Sequence, residues 1–316
     1  MDYRKGVALL AIRPKKLQKG DTVGVIAPAS PPDLEKLQRA LPFLGELGLN
    51  VKVGKHVESV NGYLAGKDEE RIEDIHEMFA DKEVKGIICA GGGFGTARIA
   101  ARLDYELVKH NPKIFWGYSD VTFLHTAIHQ KTDLVTFHGP MLSSDIGQEK
   151  VYELTKQSFK QLFTETTIEY TEEVSLLEVI HEGKVTGEII GGNLSLLVST
   201  LGTPFEVDTR GKILFMEDVD EEPYQVDRML NQLKMAGKIE EAAGILVCDF
   251  NNCTPKKRKR SLTLDDVVAD HIASAHKPAM KGFKIGHCSP QVAIPIGVRG
   301  TLDTNSKTFI VEPGIQ

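Results

Sequence analysis

A serine, a pair of adjacent carboxylates and a histidine, far apart in the chain, are the residues here whose types could support nucleophilic chemistry. The serine lies in PKIFWGYSDVTFLHTAIHQ, residues 112–130. An apolar run, Ile114-Phe115-Trp116, leads into a tight Gly117-Tyr118-Ser119-Asp120. Val121, Leu124, Ala127 and Ile128 then follow at helical spacing. Strand, sharp turn and helix, with a serine in the turn, is the layout of a nucleophile elbow. Such a turn holds the hydroxyl near a helix N-terminus, where partial positive charge favours a developing anion. The common elbow reads G-x-S-x-G, and its last position is Val121 here. A plain strand-to-helix turn capped by Ser119 or Asp120 explains this stretch equally well.

The carboxylates lie in GKILFMEDVDEEPY, residues 211–224, where an apolar strand Ile213–Met216 delivers Glu217 and Asp218 at its end. They could orient a histidine, bind a metal or face solvent. No histidine stands nearby at ligand spacing, which disfavours a metal. The histidine is His287 in KGFKIGHCSP, beside Cys288. Adjacent side chains rarely face each other, so a Cys–His pair is disfavoured, and a structural histidine is the plain alternative.

A glycine cluster, Gly91-Gly92-Gly93-Phe94-Gly95, stands between a strand and a helix beginning near Thr96. Glycines bring backbone N–H groups close to a ligand. A dinucleotide loop would need glycine at position 96 and a place after the first strand, and neither holds. An oxyanion hole, in which amides bind the negative oxygen of a tetrahedral intermediate, fits better. A simple tight turn also fits. His125 and His129 are four apart, but Thr126 occupies the glutamate position of a zinc-binding HExxH helix. The basic run Lys256–Arg260 reads as a solvated loop.

The elements that must carry these residues are legible as far as residue 150. Thr22–Ala27, Asn50–Val53, Val84–Cys89, Ile114–Trp116 and Leu134–His138 read as strands. Helical patterns over 33–47 and 69–80, and the elbow helix, alternate with them. This alternation predicts a parallel sheet covered on both faces. Residues 151–173 read as a connecting helix and linker. From 174 to 316, short β-like runs dominate, with helical stretches at about 223–236 and 263–274. The expected architecture is an N-terminal α/β domain over 1–150 carrying the elbow, and a smaller β-rich α+β domain over 174–316 carrying the acid and the base.

The chain of 316 residues is 41% hydrophobic and 26% charged, within the range of globular proteins. Its net charge of -6 opposes general nucleic-acid binding. The apolar run Val7–Ile12 is short for a signal peptide, and no stretch is long enough for a membrane span. Four irregularly spaced cysteines do not form a disulfide framework. A cytoplasmic location is expected.

Together these segments resemble the LD-carboxypeptidase family of serine peptidases, which includes murein tetrapeptide carboxypeptidases and a microcin-immunity branch. The resemblance runs from Gly20 to about Gly297. It rests on GDTVGVIAPAS, GYLAG, ICAGGGFGTARI, GYSDVTFLH, TFHGPM, IIGGNLSLLVSTLGTPFE, GKILFMEDVDEEPYQVDRMLNQLKMAG and GHCSPQVAIPIG. It implies a Ser119–His287–Glu217 triad in an interdomain cleft, with the backbone amides of Gly92 and Asp120 as oxyanion donors. Many members have Arg-Gly-Gly-Tyr-Gly in the glycine loop, where Gly91 and Phe94 stand here in place of arginine and tyrosine. Arg98 and Arg228 are the candidates for holding a substrate carboxylate, from their charge. The implied reaction removes the terminal D-alanine of a murein tetrapeptide during recycling of cell-wall peptides, with no metal or organic cofactor. A microcin-type amidase acting on a peptidyl nucleotide would use the same triad. A non-catalytic binder of small peptides is a reading from another class. The resemblance also suggests a homodimer, with a small peptide as the binding partner and no nucleic acid or membrane.

Overall fold

The computed structural model describes residues 11–257 and 260–316. The apolar run Val7–Ile12 lies largely outside the described residues, as do Arg258 and Lys259 of the basic run. Strands are numbered in chain order: β1 Thr22–Ile26, β2 Asn50–Val53, β3 Val84–Cys89, β4 Ile114–Gly117, β5 Thr136–His138, β6 Ile168–Tyr170, β7 Glu178–His181, β8 Lys184–Asn193, β9 Ile213–Val219, β10 Gly244–Asn251, β11 Ala279–Lys281, β12 Ile294–Ile296, β13 Arg299–Asp303 and β14 Thr308–Val311. They form a six-stranded sheet, β12-β5-β4-β3-β1-β2, and an eight-stranded sheet, β6-β14-β13-β8-β9-β10-β11-β7.

In the first sheet β1 to β5 are parallel. Successive side chains of a strand point to opposite faces, and here both faces are covered. Trp116 packs with Leu37, Ala40, Phe43 and Leu44 of the helix Leu34–Glu46 in one apolar cluster. Its neighbour Phe115 packs with Ile75, Met78 and Phe79 of the helix Asp68–Ala80 and with Leu124 and Ile128 of the elbow helix in another. This is why β4 reads as an unbroken apolar run: all four of its residues are buried.

The second half is β-rich with interspersed helices, as expected. Its centre, β8-β9-β10-β11, is parallel, and antiparallel strands flank it on both sides. Helices Pro223–Met235 and Leu264–Ile272 cover one face through Val226, Leu230, Leu233, Val267, Val268 and Ile272. The short strands β11 and β13 and the helix Leu194–Ser199 were not legible in the sequence.

The two sheets exchange chain. β6, from the stretch read as a linker, pairs with β14 in the second sheet. β12 leaves the second half and pairs antiparallel with β5 in the first. The loop between β11 and β12 therefore bridges the sheets, and it carries His287.

Candidate active site

β4 ends at Gly117, at the carboxyl edge of the parallel strands, the edge where open α/β sheets hold their ligands. Ser119 follows with φ of 63°, in the left-handed region that side chains other than glycine rarely occupy. The turn Ser119–Val121 runs directly into the helix Thr122–Thr132. The first N–H groups of such a turn lack partners within it, and Asp120 supplies one of them. The Asp120 carboxylate is buried. It accepts from Thr96 N at 2.8 Å, and Thr96 Oγ1 donates to Asp120 O at 2.5 Å. Burial pushes the Asp120 carboxyl above its ordinary value, against the hydrogen bonds from Thr96.

These bonds tie the elbow to the glycine loop. Further anchors hold that loop: Ser30 N donates to Gly92 O (3.2 Å), Phe94 N to Ser30 Oγ (3.1 Å), and the buried Arg71 guanidinium to Gly95 O (2.9 Å). Gly92 consequently lies against the serine. A methyl group on its Cα would meet Ser119 Cβ at 2.9 Å and Oγ at 3.0 Å.

β9 carries Glu217 to the same place, with 0% of the residue exposed. Its Oε2 accepts from His287 Nδ1 at 2.7 Å and from His287 N at 3.2 Å. A carboxylate oxygen only accepts, so Nδ1 carries the ring proton. The lone pair of Nε2 then faces Ser119 Oγ, 3.0 Å away. Gly286, with φ of 100°, lets the loop come this close; a Cβ there would lie 2.3 Å from Glu217 Oε2. Burial disfavours the charged imidazole of His287, but the Glu217 charge and hydrogen bond outweigh it and raise its pKa above the ordinary 6.5. The structure thus brings Ser119, His287 and Glu217 into one hydrogen-bonded line, with Gly92 and Asp120 beside the serine.

A second close approach ties the elbow helix to the second sheet. Thr122, on the elbow helix, accepts through Oγ1 from Asn193 N at 3.0 Å, and Asn193 pairs with Glu217 across β8 and β9. Gly192, with φ of 139°, leaves room for this; a Cβ would fall 2.5 Å from Thr122 Oγ1. Asp218 turns the other way. Its oxygens accept from Asn193 Nδ2 (3.0 Å) and from Ser195 N and Oγ (3.0 and 2.8 Å) at the start of the next helix.

A cavity of about 360 Å³ opens beside His287, lined in part by Tyr118, Asp145, Lys150, Tyr152 and Ser289. The Tyr118 ring packs on the His287 ring at 4.8 Å, and its hydroxyl donates to Asp145 Oδ1 at 3.1 Å. Asp145 and Tyr118 were not singled out in the sequence. Tyr118 had only its place in the elbow as a signal, and Asp145 had none.

The other candidates lie apart from this line. Arg98 forms a double hydrogen bond to Asp68, with both distances 3.0 Å. Arg228 is exposed on the helix Pro223–Met235, where its charge acts on Glu221. Phe94 is 51% exposed and packs edge-on against Tyr63 at 5.6 Å. His125 bonds Gly117 O (2.8 Å), and His129 bonds Glu188 Oε1 (2.9 Å). Among the described residues no group of three or more His, Cys, Asp and Glu side chains could hold a metal ion, and no helix is long and apolar enough to cross a membrane. The four cysteines are free. In the basic run, the backbone N–H groups of Lys256 and Lys257 donate to Glu222 Oε2.

Two family profiles match the chain, the LD-carboxypeptidase N-terminal domain over residues 23–139 and the LD-carboxypeptidase C-terminal domain over residues 186–302. The chain belongs to the LD-carboxypeptidase family. It is a hydrolase of the serine peptidase class. The probable murein peptide carboxypeptidase of Bacillus subtilis (strain 168) is 65% identical over 311 residues, covering 98% of each chain. Among solved structures, the MccF-like protein of Bacillus anthracis is 32% identical with a TM-score of 0.85, over 96% of this chain and 99% of that one. MccF in complex with glutamyl sulfamoyl guanosine is 26% identical with a TM-score of 0.87, over 95% and 98%. The two-domain α/β architecture is common to these family members.

Proposed function

We propose that this LD-carboxypeptidase family member removes the terminal D-alanine from murein tetrapeptide in the turnover of cell-wall peptides, cutting between an L-centre and a D-residue. The observation that carries the reading is the continuous hydrogen-bonded line from Glu217 Oε2 through His287 to Ser119 Oγ, at 2.7 and 3.0 Å. Serine is a poor nucleophile at its own pKa, so its proton must leave during attack. His287 Nε2 takes that proton as Ser119 Oγ adds to the scissile carbonyl. The oxyanion that forms is received by the amides of Gly92 and Asp120. His287 then gives the proton to the amine of the departing D-alanine, leaving an acyl group on Ser119. Water, deprotonated by the same imidazole, releases the shortened peptide. Glu217 holds His287 in the Nδ1–H tautomer and stabilises the imidazolium. The cavity beside His287 offers room for part of the peptide.

The test is mass spectrometry of L-Ala-γ-D-Glu-meso-diaminopimelyl-D-Ala incubated with the protein, with Ser119→Ala in parallel. Loss of one alanine with the native protein, reduced by several orders of magnitude in the variant, is the expected result. A tetrapeptide left whole, whether it contains diaminopimelate or lysine, would overturn the substrate assignment. The fold likeness to MccF bound to glutamyl sulfamoyl guanosine favours a second reading, hydrolysis of a peptidyl nucleotide by the same three residues. Release of the amino acid from such a conjugate, with the tetrapeptide untouched, would select it.

A further inference from the structure

Next to the triad, polar atoms of two fully buried side chains have no hydrogen-bond partner among the described residues. They are Oε1 of Glu217 and both ring nitrogens of His138. Each residue is 0% exposed. His138 is the last residue of β5, and its Nε2 faces Glu217 Oε1 across 3.9 Å. That separation is beyond a hydrogen bond. Hydrogen bonds within catalytic sites are often long in the empty enzyme and tighten when substrate is bound.

His125 Nδ1 is also buried and unpaired, with its ring 6.5 Å from that of His138, but Glu217 Oε1 lies within 3.9 Å of His138 Nε2 and carries the charge. The His138 ring is enclosed by Phe215 at 5.2 Å, Tyr118 at 5.7 Å and His125 at 6.5 Å. Burial first, then the charges of His125 and His287, hold its pKa well below the ordinary value, so the imidazole is neutral and carries one N–H. On the carboxylate side, Oε2 already takes both N–H groups of His287. The Cys248 thiol on β10 feels the Glu217 charge, but burial keeps it protonated and Sγ leans on Leu246 O at 4.0 Å. The Asp218 carboxylate is spent on Asn193 and Ser195, and that of Asp145 on Tyr118, Met141 and Ser144. The Tyr118 hydroxyl is committed to Asp145.

We propose that His138 is a positioning residue for the acid of the triad: its Nε2–H faces Glu217 Oε1 in the free protein and acts on the carboxylate's charge across 3.9 Å, and it closes to a hydrogen bond when substrate is loaded, pinning the carboxylate that orients His287. This rests on the triad reading above. A carboxylate gripped by one oxygen can turn about its own axis. Gripped at both oxygens, it keeps Oε2 aimed at Nδ1 while the imidazole becomes charged. The second donor also draws charge from Oε2, which moderates the pull of Glu217 on the His287 proton.

The experiment combines nitrogen-15 NMR of the histidine rings with kinetics on native protein, His138→Phe and His138→Gln. Phenylalanine suits the aromatic enclosure but has no N–H, whereas glutamine restores a donor. In the native protein His138 should be neutral and protonated at Nε2, and finding the proton on Nδ1 would overturn the proposal without any variant. In His138→Phe, His287 should titrate at higher pH than in the native protein, and the acid limb of kcat/KM should move up with it. The variant should lose about tenfold to a hundredfold in kcat with little change in KM, the scale of one unpaired buried hydrogen bond to a charged group. His138→Gln should recover both the titration and the rate. An unchanged His287 titration in a folded His138→Phe, or the same defect in both variants, would make His138 a packing residue only. The NMR titrations need no substrate, so they decide the role of His138 even if the tetrapeptide assignment fails.

Discussion

Replacing Gly92 with alanine should disable the enzyme while leaving the fold intact. The added methyl would lie 2.9 Å from Ser119 Cβ, 3.0 Å from Ser119 Oγ and 3.3 Å from Met141 Cε. Ordinary van der Waals contacts begin near 3.4 Å. The serine must therefore retreat, or the glycine loop must. Either movement breaks a geometry that depends on both. Retreat of Oγ lengthens its 3.0 Å bond to His287 Nε2, and a misplacement of about 1 Å can cost about a hundredfold. Retreat of the loop instead turns the Gly92 amide away from the proposed oxyanion position, and loss of one oxyanion donor costs about 10²–10³ in kcat. The expected fall in kcat is thus about 10²–10³-fold, or about 3–4 kcal/mol of transition-state stabilisation. Gly92 is not among the glycines with positive φ, so the backbone itself tolerates alanine. Gly45, in the helix Leu34–Glu46 with nothing within 4 Å of an added methyl, is the control. Gly45→Ala should keep full activity and gain about 0.5–1 kcal/mol of stability. Steady-state release of D-alanine and thermal unfolding of both variants supply the measurement. A folded Gly92→Ala enzyme with kcat within about threefold of the native value would refute the placement of the oxyanion site.

Two further outcomes follow from the same geometry. The pKa of His287 is raised above 6.5, and as the proposed base it must be neutral to accept the serine proton, so kcat/KM should fall on the acid side with a midpoint above 6.5. The Asp145 charge supports the imidazolium, so Asp145→Asn should lower that midpoint, and a midpoint that stays or rises would contradict the arrangement. The left-handed backbone at Ser119 should show in denaturant unfolding. Ser119→Gly and Ser119→Ala should both be inactive, but the glycine variant should be more stable than the alanine variant by about 1 kcal/mol. Equal stabilities would show that the elbow carries no strain.

The parallel sheet, the elbow and the glycine loop were legible in the sequence because their signals are local. Apolar runs, helical spacing and punctuating glycines lie within a few residues of one another, and β1, β3 and β4 need no distant partner to be recognised. Ser119, Glu217 and His287 were reached through the combination of motifs, since strand, loop and turn readings of each stretch stood open on its own residues. What the chain order could not convey is convergence. His287 meets Glu217 because the loop that carries it must cross from β11 in one sheet to β12 in the other, and β12 pairs with a strand formed more than a hundred residues earlier. Short strands such as β11 and β13 have no periodicity long enough to read and exist only through their neighbours. His138 looked like the end of an ordinary strand, and TFHGPM gave it no role. Its ring acquires meaning only where burial strips it of water and leaves it facing an equally unpartnered oxygen of Glu217. Composition and local pattern settle which elements form. The desolvation and the distances that bring a serine, a glutamate and a histidine into one hydrogen-bonded line belong to the packing of the two sheets against each other.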